Sequence, residues 1–220
     1  MLARIRSDPS AILLVTQLAG LLLYPFTETS GVGQALFSMF GILILGLVLL
    51  AVRSTPALTW IAVVLGIPTT ILLLAQAVQG GNDQLQPYTS ALEAVLYFYA
   101  AWALISYMLA DHEITRDELF AVGATFTLVA WAFAHLYVVN QAIEPHSFTA
   151  AVDPAGERSW VELLFLSFTT LTSTGLSDVI PIKPFSRGLV MIEQIAGLAY
   201  VAVLVSRLVA LTVRGRITGS

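Results

Sequence analysis

The stretch SFTTLTSTGLSDVIP, Ser167 to Pro181, places seven hydroxyl residues, one glycine and one aspartate directly after a segment apolar enough for a membrane interior. The apolar pattern from Ser159 to about Leu171 is helical, yet at ~1.5 Å per residue it rises only about 20 Å. That is too short for ~30 Å of hydrocarbon. A segment of this kind enters the membrane and turns back. A non-helical return limb at that depth is tolerated only where it is buried in protein or lines water, because lipid cannot satisfy its amide groups. Thr172–Asp178 is therefore expected to line a watery path.

The surrounding chain is that of a polytopic membrane protein: 57% of its 220 residues are hydrophobic and only 11% are charged. Apolar windows near Ser10–Phe26, Val32–Val52, Pro56–Val78, Ser90–Ala110, Glu118–Gln141 and Arg187–Val213 approach the ~20 residues a span requires, which predicts six transmembrane helices. Arg4 and Arg6 precede the first of them, but no small-residue cleavage site follows Phe26 and five more spans do, so it reads as a helix and not as a leader. The net charge of −4 forms no acidic or basic block, leaving no footprint for nucleic acid. With no cysteine in the chain, disulfides, thiol catalysis and thiolate metal sites are excluded. Arg4, Arg6, Arg53, Arg116, Arg214 and Arg216 all fall on one side of the predicted topology. The other side carries Arg158, Lys183 and Arg187 in its long segment, and the positive-inside bias puts both termini in the cytoplasm.

Helix starts are written locally. Asp8-Pro9 and Thr55-Pro56 put a capping side chain before a proline at the first helical position. Ser90…Glu93, Thr115…Glu118 and Ser159…Glu162 fit the capping-box spacing, and are expected to open helices four, five and the short pore-side helix. The charged linker Asp111–Glu118 divides the chain into a four-helix domain, residues 1–112, and a second domain, residues 113–220, of helix, re-entrant loop and helix. Asp111, His112 and Glu113 read as a solvated corner in preference to a metal site. Gln79–Asp83 is a loop, and Gly219-Ser220 has the look of an added tail. In helix three, Gly66-Ile67-Pro68-Thr69-Thr70 is expected to kink, with the threonines satisfying freed carbonyls.

Cations crossing a bilayer exchange hydration water for fixed oxygens, supplied by rings of backbone carbonyls and hydroxyls. Thr172, Ser173, Thr174, Gly175, Leu176 and Ser177 offer both. The preceding short helix would aim its partially negative C-terminal end inward, which favours a cation in mid-membrane. Glu193, about two turns into the last span, is an intramembrane carboxylate and so a functional candidate by default. It either supports the back of the loop, adds negative potential near the pore, or is a structural brace. His135 reads as a packing histidine, and Arg207 as a side chain that snorkels to the cytoplasmic interface.

From about Thr115 to Arg214 the sequence resembles the pore module of bacterial tetrameric potassium channels: outer helix, pore helix, selectivity filter, Asp and Pro, inner helix. Where that family has T-x-T-T-x-G-Y-G-D, this chain has Thr170-Leu171-Thr172-Ser173-Thr174-Gly175-Leu176-Ser177-Asp178. Gly175 and Asp178 are retained, tyrosine is replaced by Leu176, and the second glycine by Ser177. The segment Ser173–Ser177 is also similar to the single-glycine filters of the Trk/Ktr/HKT potassium transport proteins, which carry four such repeats in one chain. The resemblance implies an all-α integral membrane fold with six spans and a re-entrant filter, four copies around one pore, and K+ held at Ser173, Thr174 and Gly175. It further implies that Asp178 supports the filter and that Gly197 is the inner-helix hinge.

The function expected is passive conduction of monovalent cations, potassium first, by a homotetramer in the bilayer of a cell membrane, with a bacterial inner membrane the expected site and no cofactor. Leu176 and Ser177 predict a shortened filter and modest selectivity. Helix four has no arginine, so the first domain reads as a collar and not as a voltage sensor. No nucleophile–base pair, H-E-x-x-H or phosphate-binding glycine loop points to an enzyme. The chain stops soon after the sixth span, so no intracellular ligand domain is expected. Two alternatives stay open: a non-conducting homologue that binds a membrane partner, and an ion-translocating subunit that needs a cytosolic regulator.

Overall fold

A computed structural model describes residues 9–23, 31–53, 55, 57–78, 83–110 and 115–218. Arg4, Arg6, the Asp8 cap, Pro56, most of the turns over 27–31 and 79–83, the Asp111–Glu113 corner and Gly219-Ser220 lie outside the described residues. The elements are α1 (Pro9–Leu23), α2 (Gly31–Arg53), α3 (Thr59–Val78), α4 (Gln86–Leu109), α5 (Arg116–Ile143), β1 (Phe148–Thr149), α6 (Trp160–Leu171), β2 (Ile180–Pro181) and α7 (Pro184–Thr218). Among the described residues four helices are long and apolar enough to cross a membrane: α3, α4, α5, and α7 over Pro184–Arg207. The shorter Pro9–Leu23, Met39–Arg53 and Trp160–Leu171 are also apolar. On α3, Trp60, Val63, Val64, Ile67, Ile71, Leu74 and Val78 form an exposed stripe at helical spacing. In water such a stripe would be a liability, and against lipid tails it costs nothing. The protein is a membrane-embedded helical protein.

The chain forms two compact units, Met1–Ala132 and Phe133–Ser220, and the division falls inside the continuous helix α5. In the first unit α2 packs on α1, α3 and α4, and α3 packs on α4. Its core is rich in small residues, among them Ala51, Ala62, Ala94, Ala100, Ala101 and Ala103, which let helix backbones approach closely where no hydrophobic effect drives association. Helix α3 runs through Pro68. Thr69 Oγ1 and Thr70 Oγ1 donate to the carbonyls of Leu65 and Gly66 at 2.7 and 2.8 Å. The carbonyl that Pro68 leaves without its usual donor is that of Val64, one position earlier.

Two expected helix starts are corrected. Helix α4 begins at Gln86, four residues before Ser90, with Pro87 in its first turn and no side-chain cap at Leu85. Ser90 and Glu93 are buried inside the helix and do not form a capping box at its end. Pro87 is pre-set for the first helical turn, so the helix nucleates ahead of the serine. Likewise α3 starts at Thr59 and not at Pro56. Thr55 instead closes a turn: its Oγ1 donates to the Val52 carbonyl at 2.7 Å and accepts from the Ala57 amide at 3.2 Å. Thr115 does cap α5, accepting from the Glu118 amide at 3.2 Å.

In the second unit α6 packs against α7, and β1 pairs antiparallel with β2. Phe148 stands opposite Pro181, and Thr149 opposite Ile180. This two-residue ladder joins the segment before α6 to the segment after the hydroxyl-rich stretch.

Candidate functional site

Helix α6 is fixed at its N-terminus by the residues the capping box names. Ser159 has extended backbone, its hydroxyl accepts from the Glu162 amide at 3.3 Å, and the Glu162 carboxylate accepts from the Ser159 amide at 2.7 Å. Arg158, only 5% exposed, anchors the turn ahead of it. Its guanidinium donates to Glu162 Oε1 and to the carbonyls of Val152, Asp153 and Gly156, at 2.6 to 3.2 Å. The Gln141 side chain pairs with the Arg158 backbone in both directions, at 2.9 and 3.1 Å, tying the top of α5 to the entry of α6. Sequence reasoning counted Arg158 only as a loop charge. Its spacing of four residues from Glu162 was the signal that would have found it.

The C-terminus of α6 ends in a Schellman motif. The Thr174 amide donates to the Thr169 carbonyl at 3.0 Å, and the Ser173 amide to the Thr170 carbonyl at 2.9 Å. Ser173 sits at the left-handed position with φ 58°, where glycine is usual and a side chain costs ~1–2 kcal/mol. The Thr169 carbonyl also accepts from the Gly175 amide at 3.0 Å and from Thr174 Oγ1 at 3.3 Å. One buried carbonyl therefore gathers the start of the return limb.

Gly175 has φ 64°, and a Cβ placed there would meet nothing within 4 Å. Dihedral preference, not space, is what calls for glycine. Outside glycine, positive φ among the described residues is confined to His146, Asp153 and Ser173, so Ser177 has ordinary backbone. Ser177 Oγ accepts from the Val179 amide at 3.0 Å, and Val179 is buried where β2 begins. Asp178 is exposed, and among the described residues its carboxylate has no partner.

Thr172, Ser173, Thr174, Gly175 and Leu176 are all exposed, Leu176 at 78%, on top of buried Thr169, Thr170 and Leu171. Thr172 Oγ1 and Thr174 Oγ1 lie 3.0 Å apart, so two hydroxyl oxygens share one patch of this surface.

Behind the limb, fully buried Glu193 on α7 accepts from Tyr137 Oη on α5 and from Ser167 Oγ on α6. Tyr137 also meets Phe148 of β1 edge to face, with ring centroids 5.3 Å apart. One turn beyond Glu193, Gly197 is buried against the end of α6: a Cβ there would collide with the Leu171 carbonyl oxygen. Helix α7 is continuous through this position, so close approach is itself a reason for glycine. The His135 ring meets Trp160 at a tilt, with ring centroids 5.4 Å apart. The Glu144–Lys183 ion pair, at 3.5 Å, and the Ser186 hydroxyl, which donates to the Ser147 carbonyl at 3.1 Å, complete the outer rim. Among the described residues no group of three or more His, Asp or Glu is placed to hold a metal ion.

The site thus presents exposed hydroxyl groups on a short non-helical limb. A family model described as "Ion channel" matches residues 124–214, which take in most of α5, all of the limb and most of α7. The chain is 34% identical over 103 residues to Protein LctB of Geobacillus stearothermophilus, a match covering 46% of this chain and 76% of the relative. No solved structure matches. These two matches show that this chain belongs to the ion channel family.

Proposed function

We propose that four copies of this chain surround one pore and pass monovalent cations, potassium preferentially, along the limb Thr172–Ser177. The observation that carries this reading is the run of five exposed residues, Thr172 to Leu176, held on a buried base. One limb supplies one quarter of an oxygen ring, and a dehydrated cation needs the ring closed. On this reading α1 and α2 complete six spans, α6 is a re-entrant pore helix, and both termini face the cytoplasm of a bacterial cell. Ser173, Thr174 and Gly175 hold K+ in transit. The ordinary backbone at Ser177 favours a short filter with modest discrimination against sodium. With no basic residue in α4, conductance is expected to depend weakly on voltage.

The test is cation flux from liposomes holding only the purified chain, paired with cross-linking in mild detergent. Flux without added partners, with cross-linking that saturates at four, supports the reading. Flux from a stable monomer contradicts the shared pore, and flux only with an added cytosolic partner favours a transporter subunit. The shortened filter has its own check: Leu176→Tyr with Ser177→Gly should raise potassium preference in bi-ionic reversal potentials.

A further inference from the structure

Helix α7 holds α6 at two points. Glu193 accepts from Ser167, and Gly197 receives the Leu171 carbonyl. Each pair of positions is four residues apart on its own helix, so the second contact repeats the first about one turn further along both. Between them lies Thr169, whose carbonyl gathers the amides of Thr174 and Gly175. The clasp therefore spans the turn of α6 from which the limb departs. Tyr137 on α5 donates to the same carboxylate, so Glu193 is itself held from the opposite side.

A brace alone would not call for this chemistry. A carboxylate buried at membrane depth carries a desolvation cost that apolar packing avoids. What it supplies in exchange is direction: hydrogen bonds from two hydroxyls fix the rotation and height of α6, whereas apolar contacts between helices tolerate sliding. We propose that the Glu193–Ser167 bond and the Gly197–Leu171 contact act together as a determinant of ion selectivity lying outside the limb, with Glu193 as the positioning residue. The position of α7 sets where α6 ends, and that sets the spacing of the limb oxygens. The inference rests on the pore reading above and assigns that same site a control it does not otherwise have.

The test uses the full chain in planar bilayers, with reversal potentials measured between potassium on one side and sodium on the other. Ser167→Ala removes one oxygen, and Glu193→Gln keeps the shape but leaves a single acceptor. Each should change the potassium-to-sodium permeability ratio by on the order of threefold to tenfold, because a buried hydrogen bond is lost. Ser167→Thr keeps the hydroxyl and should keep the wild-type ratio. The double variant Ser167→Ala with Glu193→Gln should shift the ratio no further than the larger single change, since both remove one bond. Gly197→Ala disturbs the second contact without touching the first and should also change the ratio.

A Ser167→Ala protein that assembles and conducts with an unchanged ratio overturns the inference. So does one whose lost flux is fully accounted for by lost assembly, because the clasp is then a folding brace alone. Wild-type protein that passes no cation removes the pore reading and this inference together. Wild-type flux with an unchanged ratio in Ser167→Ala removes only the inference.

Discussion

The two units place hydroxyl groups in membrane-embedded helices for different ends. In Met1–Ala132 the threonines turn back on their own helix: Thr16, Thr69, Thr70, Thr89 and Thr127 each donate to the carbonyl four residues earlier. Bonds between helices occur there too, as where the Ser10 amide and hydroxyl donate to Asp117 at 3.0 and 2.9 Å. In Phe133–Ser220 some hydroxyls also turn back, Thr169 to Leu166 and Thr172 to Phe168, but other polar side chains reach across elements, Gln141 to Arg158, Tyr137 and Ser167 to Glu193, and Ser186 to Ser147. The reason lies in the backbone. A continuous helix satisfies its own amides, so its hydroxyls need only be hidden. A non-helical limb needs its amides and its position supplied by other segments. Cross-element polar bonding is thus what holds the limb in place.

If the contrast is correct, substitutions in the second unit should cost far more than similar ones in the first. The largest effect is expected for Arg158→Ala, which frees three carbonyls and leaves Glu162 without its cation. A loss of about 3 kcal/mol is expected, seen as a large fall in the thermal midpoint in detergent. A midpoint within error of wild type would show that the second unit does not depend on these bonds for its stability. Gly175→Ala comes next. Space is open there, so the cost is the left-handed dihedral alone, about 1–2 kcal/mol. Conduction in liposome flux should fall more than stability does, because the limb itself must shift. The smallest effect belongs to Thr70→Val in α3. Its hydroxyl only hides on its own helix, so stability should stay within about 0.5 kcal/mol of wild type and flux should be unchanged.

What could be read from the sequence was local. Ser159…Glu162 marked the start of α6 to the residue because both halves of a capping box lie within one turn. The need for a turn residue at Gly175 was equally plain. Ser90…Glu93 has the same spacing and misled, because Pro87 starts the helix earlier and tertiary burial claims both side chains. The β1–β2 ladder could not be read, since two residues carry no alternation and the pairing joins Phe148 to Pro181 across the whole of α6. Ser173 at a left-handed position was hidden for another reason: the motif that requires it usually advertises itself with glycine. Glu193 stood out as a carboxylate inside an apolar span, but its partners Tyr137 and Ser167 lie on two other helices. Only packing brings them together.

The proposed pore has four limbs facing one axis and holding cations there, and the decisive measurement is an experimental structure of the assembled protein solved with rubidium or thallium in place of potassium. Heavy-ion density is expected on a four-fold axis, level with Ser173, Thr174 and Gly175 and ringed by the limb's oxygens. An assembly whose axis does not pass between the Thr172–Ser177 limbs, or heavy-ion density bound only away from them, would contradict it.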